Sequence, residues 1–489
     1  MKHVIAFRKS IAVICMVAAS ACTSKFDALN VDPNNPTDAP ATNILARSIQ
    51  SITGTLFGER LGISYIGFFA GHTAPSTFGA TYEYRDEIVT GQWSALYYVL
   101  SDCQKVINQS AAEGNTNMQA VMMTVKAFTA QYITDMWGDV PYTEALKGEE
   151  GVTRPAYDSQ ETIYRALLAE LAQAAGLFNQ GSIDRLGEGD ILLQGDVGKW
   201  QRFCNTLRLR VAMRVSNVDP ALATETIAAV LNNPADNPVL APGEEVRLTW
   251  PGSSPYNEPW FTYLTGTGPW YAMNATIIDT LKAYGDPRLP EYAQPVPDSE
   301  PAAYAGLKTG RPSSEFSLNN SSRIGTRYGY RAAGISPWLR YAEVCFLKAE
   351  AFARGLATGD AADAYREGVA ASLEENGIGD AATYLARPQV AWTVDDAENL
   401  RRIYLQKWIA LFKQSHEAWS ESRRTDVPLM EAIPFEYNKS HTRPPFRYPY
   451  PTEEVSLNGE HIEPYLEGLE NGDRFWGRQM WWDTRSGVH

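Results

Sequence analysis

The stretch from Trp250 to Tyr271 is the part of the sequence that most limits how this chain folds. It holds seven aromatic residues together with four prolines and three glycines. Prolines fix φ and remove a backbone donor, and glycines loosen the backbone, so neither a long helix nor a central strand fits here. An irregular aromatic segment has to be held by its surroundings. We therefore expect a scaffold on either side that presents this stretch as a ligand-binding face.

Much of the remaining chain has the spacing of amphipathic helices. Apolar residues recur every three or four positions, most clearly from Met118 to Met136, and this spacing predicts helices. Gly138 is placed to end that helix, and the capping-type sequence from Asp158 to Glu161, which includes Ser159, predicts the start of the next one. We predict a mainly α fold in which tetratricopeptide-like helix pairs scaffold an irregular, loop-rich ligand-binding region, although no strict repeat period is present. The predicted helical parts span about 42–66, 118–215 and 341–428, including one long helix from Asp395 to Arg424, and the predicted loop-rich parts span about 67–100 and 240–338.

The N-terminus has the pattern of an export signal followed by an acylation site. Residues 1–21 combine basic residues with a short apolar core and end in small residues, which is typical of a signal peptide. Ala-Ser-Ala-Cys22 resembles the lipobox of bacterial lipoproteins, which implies that Cys22 becomes the acylated first residue. The alternative is simple secretion with Cys22 as a leftover thiol. Residues 22–41 are predicted to be a lipid-anchored tether, and residues 42–489 a single domain.

Charge and cysteine spacing exclude several kinds of partner and site. The formal net charge of −14 argues against binding to a phosphate backbone, so nucleic acid is not expected as a partner. The five cysteines are scattered and contain no CxxC pair, which indicates neither a disulfide framework nor a zinc site. We expect Cys103, Cys204 and Cys345 to pack as small buried groups.

A set of short motifs is spread in order from residue 22 to residue 451. The motifs are Cys22 with Asn30–Thr37, Trp137–Tyr142 (WGDVPY), Asp286–Leu289 (DPRL), Tyr341–Ala351, Gln406–Trp408, Glu417–Trp419, Arg423–Arg424 and Arg447–Pro451 (RYPYP). Each is weak alone, but together they resemble the SusD/RagB family of outer-membrane nutrient-binding lipoproteins.

The resemblance implies both a fold and a cellular setting. It implies a helical scaffold with tetratricopeptide-like pairs, in a lipid-anchored protein on the outer membrane that faces the cell exterior. It also implies a SusC-like TonB-dependent transporter as partner, to which the protein would deliver a nutrient. That nutrient is usually an oligosaccharide and, in one branch of the family, a peptide. No cofactor is predicted, and the sequence does not determine whether a metal such as calcium orders the loops.

The predicted ligand contacts come from two aromatic loops. Sugar rings pack their C–H faces on aromatic planes, and their hydroxyl groups need polar partners. We predict Trp260, Tyr263 and Trp270 as stacking platforms with Asn257 beside them, Tyr82, Tyr84 and Arg85 as partners from the loop that begins near Gly67, and Tyr328 and Tyr330 as weaker candidates. The alternative for each ring is a buried anchor. If the ring of Trp260 is a platform, its replacement by alanine weakens binding with little change in stability.

Other conspicuous side chains are interpreted as structural or left open. Trp137, Trp200, Trp408 and Trp419 lie on predicted helical faces or helix ends, where packing is the expected role. Glu417 with Arg423 and Arg424 either forms a buried ion pair near Trp419 or lies on a solvated face.

The sequence contains no familiar catalytic motif. GxSxG, HExxH, the P-loop and GxGxxG are all absent. The function that the resemblance implies is non-enzymatic nutrient binding. The alternative is a lipid-anchored glycoside hydrolase, which needs two carboxylates flanking the scissile bond.

Overall fold

The structure is a computed structural model that describes residues 39–58, 70–72, 86–182, 186–266, 271–308, 318–430, 441–467, 469 and 476–488. This part of the chain is mainly α-helical, as predicted. Its α-helices are α1 Ala41–Leu56, α2 Asp86–Glu113, α3 Thr116–Trp137, α4 Gln160–Leu177, α5 Val197–Val215, α6 Pro220–Leu231, α7 Pro259–Gly266, α8 Ala275–Tyr284, α9 Leu289–Tyr292, α10 Thr326–Gly329, α11 Tyr341–Ala353, α12 Ala361–Glu375, α13 Ala381–Leu385, α14 Asp396–Ala410, α15 Ser415–Thr425, α16 Thr452–Leu457 and α17 Gly459–Leu466. The strands are β1 Ala70–His72, β2 Glu245–Thr249, β3 Tyr271–Met273 and β4 Ile335–Arg340. Among these helices, none has the length and apolar character needed to cross a membrane.

Local capping determines where the scaffold helices begin and end. The side chain of Asn115 accepts a hydrogen bond of 3.0 Å from the backbone N–H of Met118 at the start of α3. Gly138 follows the last residue of α3 with φ of 84°, a conformation that favours glycine. At the start of α4, the Ser159 hydroxyl accepts a hydrogen bond from the N–H of Thr162. The helix end predicted near Gly138 and the helix start predicted near Ser159 are both confirmed.

Consecutive helices pack against each other in the manner of tetratricopeptide pairs. Helices α2 to α6 contact one another in succession, and α11 contacts both α12 and α14. In the core, the rings of Phe128 and Trp338 are stacked with centroids 4.5 Å apart, which joins α3 to β4. The packing role predicted for four tryptophans and three cysteines is confirmed, because all seven are buried: Trp137, Trp200, Trp408, Trp419, Cys103, Cys204 and Cys345.

Three predicted boundaries are wrong. Helix α2 begins at Asp86, inside the part predicted as loop from 67 to 100, and Val89 and Trp93 bury one side of it in the core. Helix α1 ends at Leu56, before the predicted end near residue 66, and residues 59–66 lie outside the described part of the chain. The predicted helix from 395 to 424 is two helices, α14 and α15. The chain turns between them, where Lys413 has φ of 73°, which a helix does not allow.

A network of buried charged side chains connects α5, α11, α14 and α15. Glu421 lies at its centre, because it accepts hydrogen bonds from Arg214 (2.7 Å) and Arg424 (2.8 Å) and lies 3.2 Å from the Lys407 ammonium. Burial alone would raise the pKa of Glu421, but Arg424, Lys407 and Arg214 hold that pKa well below its usual value. The carboxylate is therefore charged and fully engaged.

The same network resolves the alternatives for Glu417, Arg423 and Arg424. All three side chains are buried, so the solvated-face interpretation is wrong. Glu417 pairs with Arg214 at 2.5 Å instead of with its neighbours on α15. Arg424 pairs with Glu350 on α11 at 2.6 Å. The guanidinium of Arg423 lies 3.6 Å from the Trp419 ring centroid.

His416 is expected to make the stability of the fold depend on pH. Its ring is buried against the edge of Tyr132, and burial followed by the charge of Arg423 lowers its pKa to about 3. The unfolded chain takes up a proton on this histidine near pH 6.5, whereas the folded chain does not. Each pH unit from about 6.5 down to about 3 should therefore cost roughly 1 kcal/mol of unfolding free energy, with no contribution above that window.

Urea denaturation between pH 7.5 and pH 4 measures this dependence. His416→Phe keeps a ring in the same space and should flatten this part of the slope. An identical slope in the wild type and in His416→Phe would assign the acid sensitivity to other groups.

Candidate functional site

Two short strands bring the two predicted aromatic loops together. β1 pairs with β3 in antiparallel register, with Ala70 opposite Met273 and His72 opposite Tyr271. Strand β1 belongs to the loop that begins near Gly67, and β3 continues the stretch that begins at Trp250. The two segments that the sequence analysis paired across a site are therefore neighbours in the structure. Trp270, Tyr82, Tyr84 and Arg85, as well as Cys22, lie outside the described residues.

Trp260 is a core residue, which is a correction to its predicted role as a stacking platform. Its side chain is fully buried, and its ring packs edge-on against Phe412 with centroids 6.2 Å apart. The ammonium of Lys413 lies 4.8 Å from the ring centroid and is paired with Glu258 at 2.9 Å. The two-turn helix α7 turns this tryptophan inward, so neither face of its indole is open to a sugar.

The remaining described candidates divide between core and partly open positions. Tyr263 and Asn257 are each half-buried, so both retain surface that a ligand can reach. Tyr328 is buried and donates a hydrogen bond of 2.7 Å to the side-chain oxygen of Asn376, which makes it an anchor. Tyr330 is half-buried.

Tyr256, an exposed aromatic residue of the stretch that begins at Trp250, borders an open cleft of about 680 Å³. The cleft is lined by Gln50 from α1, Gly187, Glu188, Asp190, Ile191 and Gln194 from the α4–α5 loop, and Leu248, Thr249, Trp250, Pro251 and Tyr256. Tyr256 is 48% exposed and Ile191 is 38% exposed, which is unusual for such large apolar side chains. We call this feature the Tyr256 cleft.

The sequence around Tyr256 folds into a tight turn that places its ring in the cleft. Trp250 fixes the start of the turn, because its indole N–H donates a hydrogen bond of 2.9 Å to the Ser336 hydroxyl on β4. Gly252 has φ of 76°, and a Cβ there would lie 2.7 Å from the backbone nitrogen of Ala333. The N–H of Tyr256 then bonds to the carbonyl of Ser253 at 2.7 Å. The turn therefore depends on a glycine at position 252.

The opposite wall is held by the carboxylate of Asp190. Its Oδ1 accepts hydrogen bonds from the N–H groups of Leu192 and Leu193, and its Oδ2 accepts from Gly195 and from the indole of Trp200. Four donors on one carboxylate fix the loop to α5. The wall is thus preformed, as ligand pockets usually are.

The lining of the Tyr256 cleft combines an exposed aromatic ring with several polar side chains. Its polar lining includes the amides of Gln50 and Gln194 and the hydroxyl of Thr249. Two of its lining residues carry carboxylates, Glu188 and Asp190, and the carboxylate of Asp190 is occupied by backbone and indole donors. The described residues contain no cluster of His, Cys, Asp and Glu that could hold a metal ion.

The residues that line this cleft are not among the ligand contacts predicted from the sequence. Trp250 and Tyr256 belong to the aromatic stretch but were not among the predicted contacts. Pro251 and Pro255, with Gly252 between them, were the available signal for a turn that exposes a ring. Gln50 and Gln194 are 144 positions apart and carry no local signal, because only the tertiary fold brings α1 beside the α4–α5 loop.

Similarity to known proteins agrees with this architecture. A chitin-binding protein of known structure is 26% identical, with 91% of this chain and 100% of that chain covered and a TM-score of 0.77. A chitin-binding SusD homologue from Flavobacterium johnsoniae is 24% identical over 91% and 99% of the two chains, with a TM-score of 0.78. A SusD homologue from Bacteroides uniformis is 23% identical over 92% and 100%, with a TM-score of 0.78.

The family model identifies the family of the chain. No curated protein is significantly similar to the chain. The SusD-like family, described as starch-binding and associating with the outer membrane, matches residues 33–451, which is most of the chain. Together with the helical fold, this match shows that the chain belongs to the SusD-like family.

Proposed function

We propose that this protein is a surface-exposed lipoprotein that captures oligosaccharide and passes it to a SusC-like TonB-dependent transporter. The description of its family as starch-binding and outer-membrane-associated supports the ligand class and the location. A relative at 26% identity that is named a chitin-binding protein supports the ligand class further. Cys22 would carry the lipid anchor. Co-purification of a large outer-membrane barrel with the membrane-bound protein tests the partner.

The observation that carries the proposal is the open ring of Tyr256 in a preformed cleft. A volume of about 680 Å³ lies within the range of small-molecule sites. Aromatic side chains supply a flat apolar surface for a sugar ring, and the neighbouring amides of Gln50 and Gln194 are suited to its hydroxyl groups. Tyr263, Asn257, Trp270, Tyr82, Tyr84 and Arg85 remain predicted contacts, whereas Trp260 is assigned to the core.

Replacing Tyr256 by alanine is expected to weaken oligosaccharide binding about tenfold, or roughly 1.4 kcal/mol. The variant loses the exposed ring while the hydrogen bonds of Trp250 and the turn backbone stay in place. Calorimetric titration with chitotriose and maltotriose measures the change. Tyr98→Ala is the matched control, because Tyr98 lies on α2 outside the cleft lining and is 68% exposed. Equal affinities in all three proteins would remove Tyr256 from the binding surface.

A reducing-end assay on the same oligosaccharides and a titration with peptides distinguish the alternatives. Release of new reducing ends from the oligosaccharides would indicate a glycoside hydrolase. Binding of peptides in place of oligosaccharides would indicate a peptide-binding member of the family.

A further inference from the structure

A second, smaller cleft lies where α3 ends and α4 begins, closed on one side by the C-terminal segment. Its volume is about 280 Å³, and Arg447, Tyr465 and Trp481 line it together with Ser159 and Glu161 at the start of α4. It shares no lining residue with the Tyr256 cleft. We call it the Arg447 cleft.

Arg447 is buried with most of its hydrogen-bonding capacity unused. The side chain is 6% exposed. Its Nη1 donates to the carbonyl oxygen of Tyr448 at 3.2 Å, and its guanidinium carbon lies 4.5 Å from the Tyr450 ring centroid. Its Nε and Nη2 have no acceptor among the described residues, and no carboxylate there lies within ion-pair distance. Because Arg447 lines the cleft and neither nitrogen is enclosed by protein, both are available to donate to a ligand.

The start of α4 adds a backbone donor to the cleft, beside the carboxylate of Asp139, which also lines it. Helix α4 has 18 residues, and two of its first three backbone N–H groups have acceptors. The N–H of Gln160 donates to the Asp139 carboxylate at 2.5 Å, and the N–H of Thr162 donates to the Ser159 hydroxyl. The N–H of Glu161 has no acceptor in the described part of the chain, and the Glu161 carboxylate is engaged by Arg165 at 2.9 Å. Free N–H groups at a helix N-terminus favour an anion.

Gly477 makes room for Arg447 at the edge of the cleft. Its φ is 73°, and a Cβ at this position would lie 2.5 Å from Cγ and 2.7 Å from Nε of Arg447. Any other residue would displace the arginine. The backbone is therefore arranged around the guanidinium.

We propose that the Arg447 cleft binds the carboxylate group of a small ligand. Nε and Nη2 form the side of the guanidinium that receives both oxygens of a planar carboxylate. The free N–H of Glu161 supplies a further donor, and the rings of Tyr465 and Trp481 supply apolar walls. The volume suits one sugar acid or one amino-acid residue, so the carboxylate comes from a uronic acid of an acidic glycan or from a peptide C-terminus.

Titration of the detergent-solubilised full chain tests this proposal with matched pairs of ligands. Galacturonate is compared with galactose, and N-acetylalanine with its amide. At least one acid should bind at least tenfold more tightly than its neutral partner. Tighter binding of galacturonate alone identifies an acidic sugar, tighter binding of N-acetylalanine alone identifies a peptide terminus, and both together identify any small carboxylate. Equal affinities within both pairs overturn the proposal whatever the variants show.

Arg447→Lys keeps the positive charge but removes the pair of nitrogens, Nε and Nη2, that would receive both carboxylate oxygens. It should weaken binding of the acid at least tenfold, whereas Arg366→Lys, at an exposed position outside the cleft, should leave it unchanged. Unchanged affinity in a folded Arg447→Lys overturns the proposal. Acid binding should also persist in Tyr256→Ala, which separates this cleft from the neutral-oligosaccharide site. If Tyr256→Ala abolishes acid binding as well, the carboxylate binds in the Tyr256 cleft and the Arg447 assignment is wrong.

Discussion

Replacing Glu421 by alanine is expected to lower the free energy of unfolding by about 3–5 kcal/mol. The carboxylate is 3% exposed and contacts Arg214, Arg424 and Lys407. Without this carboxylate, the three buried cations lose one of the anions that balance their charge. The cost of an uncompensated buried charge far exceeds the contribution of a surface pair, because the interior does not solvate it.

Urea denaturation of Glu421→Ala at neutral pH measures this loss. Glu460→Ala is the matched control, because its carboxylate lies 3.7 Å from Arg154 and both side chains are well exposed. The control should change the free energy of unfolding by less than about 1 kcal/mol. If the two variants lose the same small amount, the buried network does not hold α5 to α15.

Replacing Trp260 by alanine is also expected to cost about 3–5 kcal/mol of unfolding free energy. The indole is fully buried against Phe412, and the Lys413 ammonium lies over its face. The substitution leaves a cavity and removes the aromatic ring beside the buried ammonium of Lys413, which is paired with Glu258. Oligosaccharide affinity of the folded fraction should change less than threefold, since the ring lines neither cleft.

Parallel denaturation and titration of Trp260→Ala and Tyr256→Ala separate the two kinds of aromatic residue. Trp260→Ala should lose stability and keep binding, while Tyr256→Ala should lose binding and keep stability to within about 1 kcal/mol. Normal stability with lost binding in Trp260→Ala would restore the platform role predicted from sequence.

Local sequence signals predicted the scaffold well because they act over a few residues. The helix end at Gly138 and the helix start at Ser159 follow from side-chain capping and from backbone freedom at a single position. The start of α2 at Asp86 was missed although Val89, Trp93 and Leu96 have helical spacing. The aromatic and glycine-rich residues before Asp86 suggested a loop, and that interpretation was extended too far along the chain.

The candidate site was less predictable because burial depends on partners distant in sequence. Nothing near Trp260 shows that Lys413, more than 150 positions later, will lie on its ring. The turn at Lys413 that splits the predicted long helix places it there. Tyr256 lies in a turn that leaves its ring exposed, whereas Trp260, four residues later, lies on α7 with its ring in the core. Composition therefore located the aromatic region, whereas the fold decides which rings remain open.

Calorimetric titration of the detergent-solubilised full chain with neutral oligosaccharides, followed by chromatography of the ligand, tests the central claim most directly. If the protein captures oligosaccharide without catalysis, at least one of chitotriose and maltotriose should bind saturably. The affinity should be about tenfold weaker in Tyr256→Ala, and every oligosaccharide should be recovered intact. Absence of binding to both ligands, or recovery of shortened products, would contradict that claim.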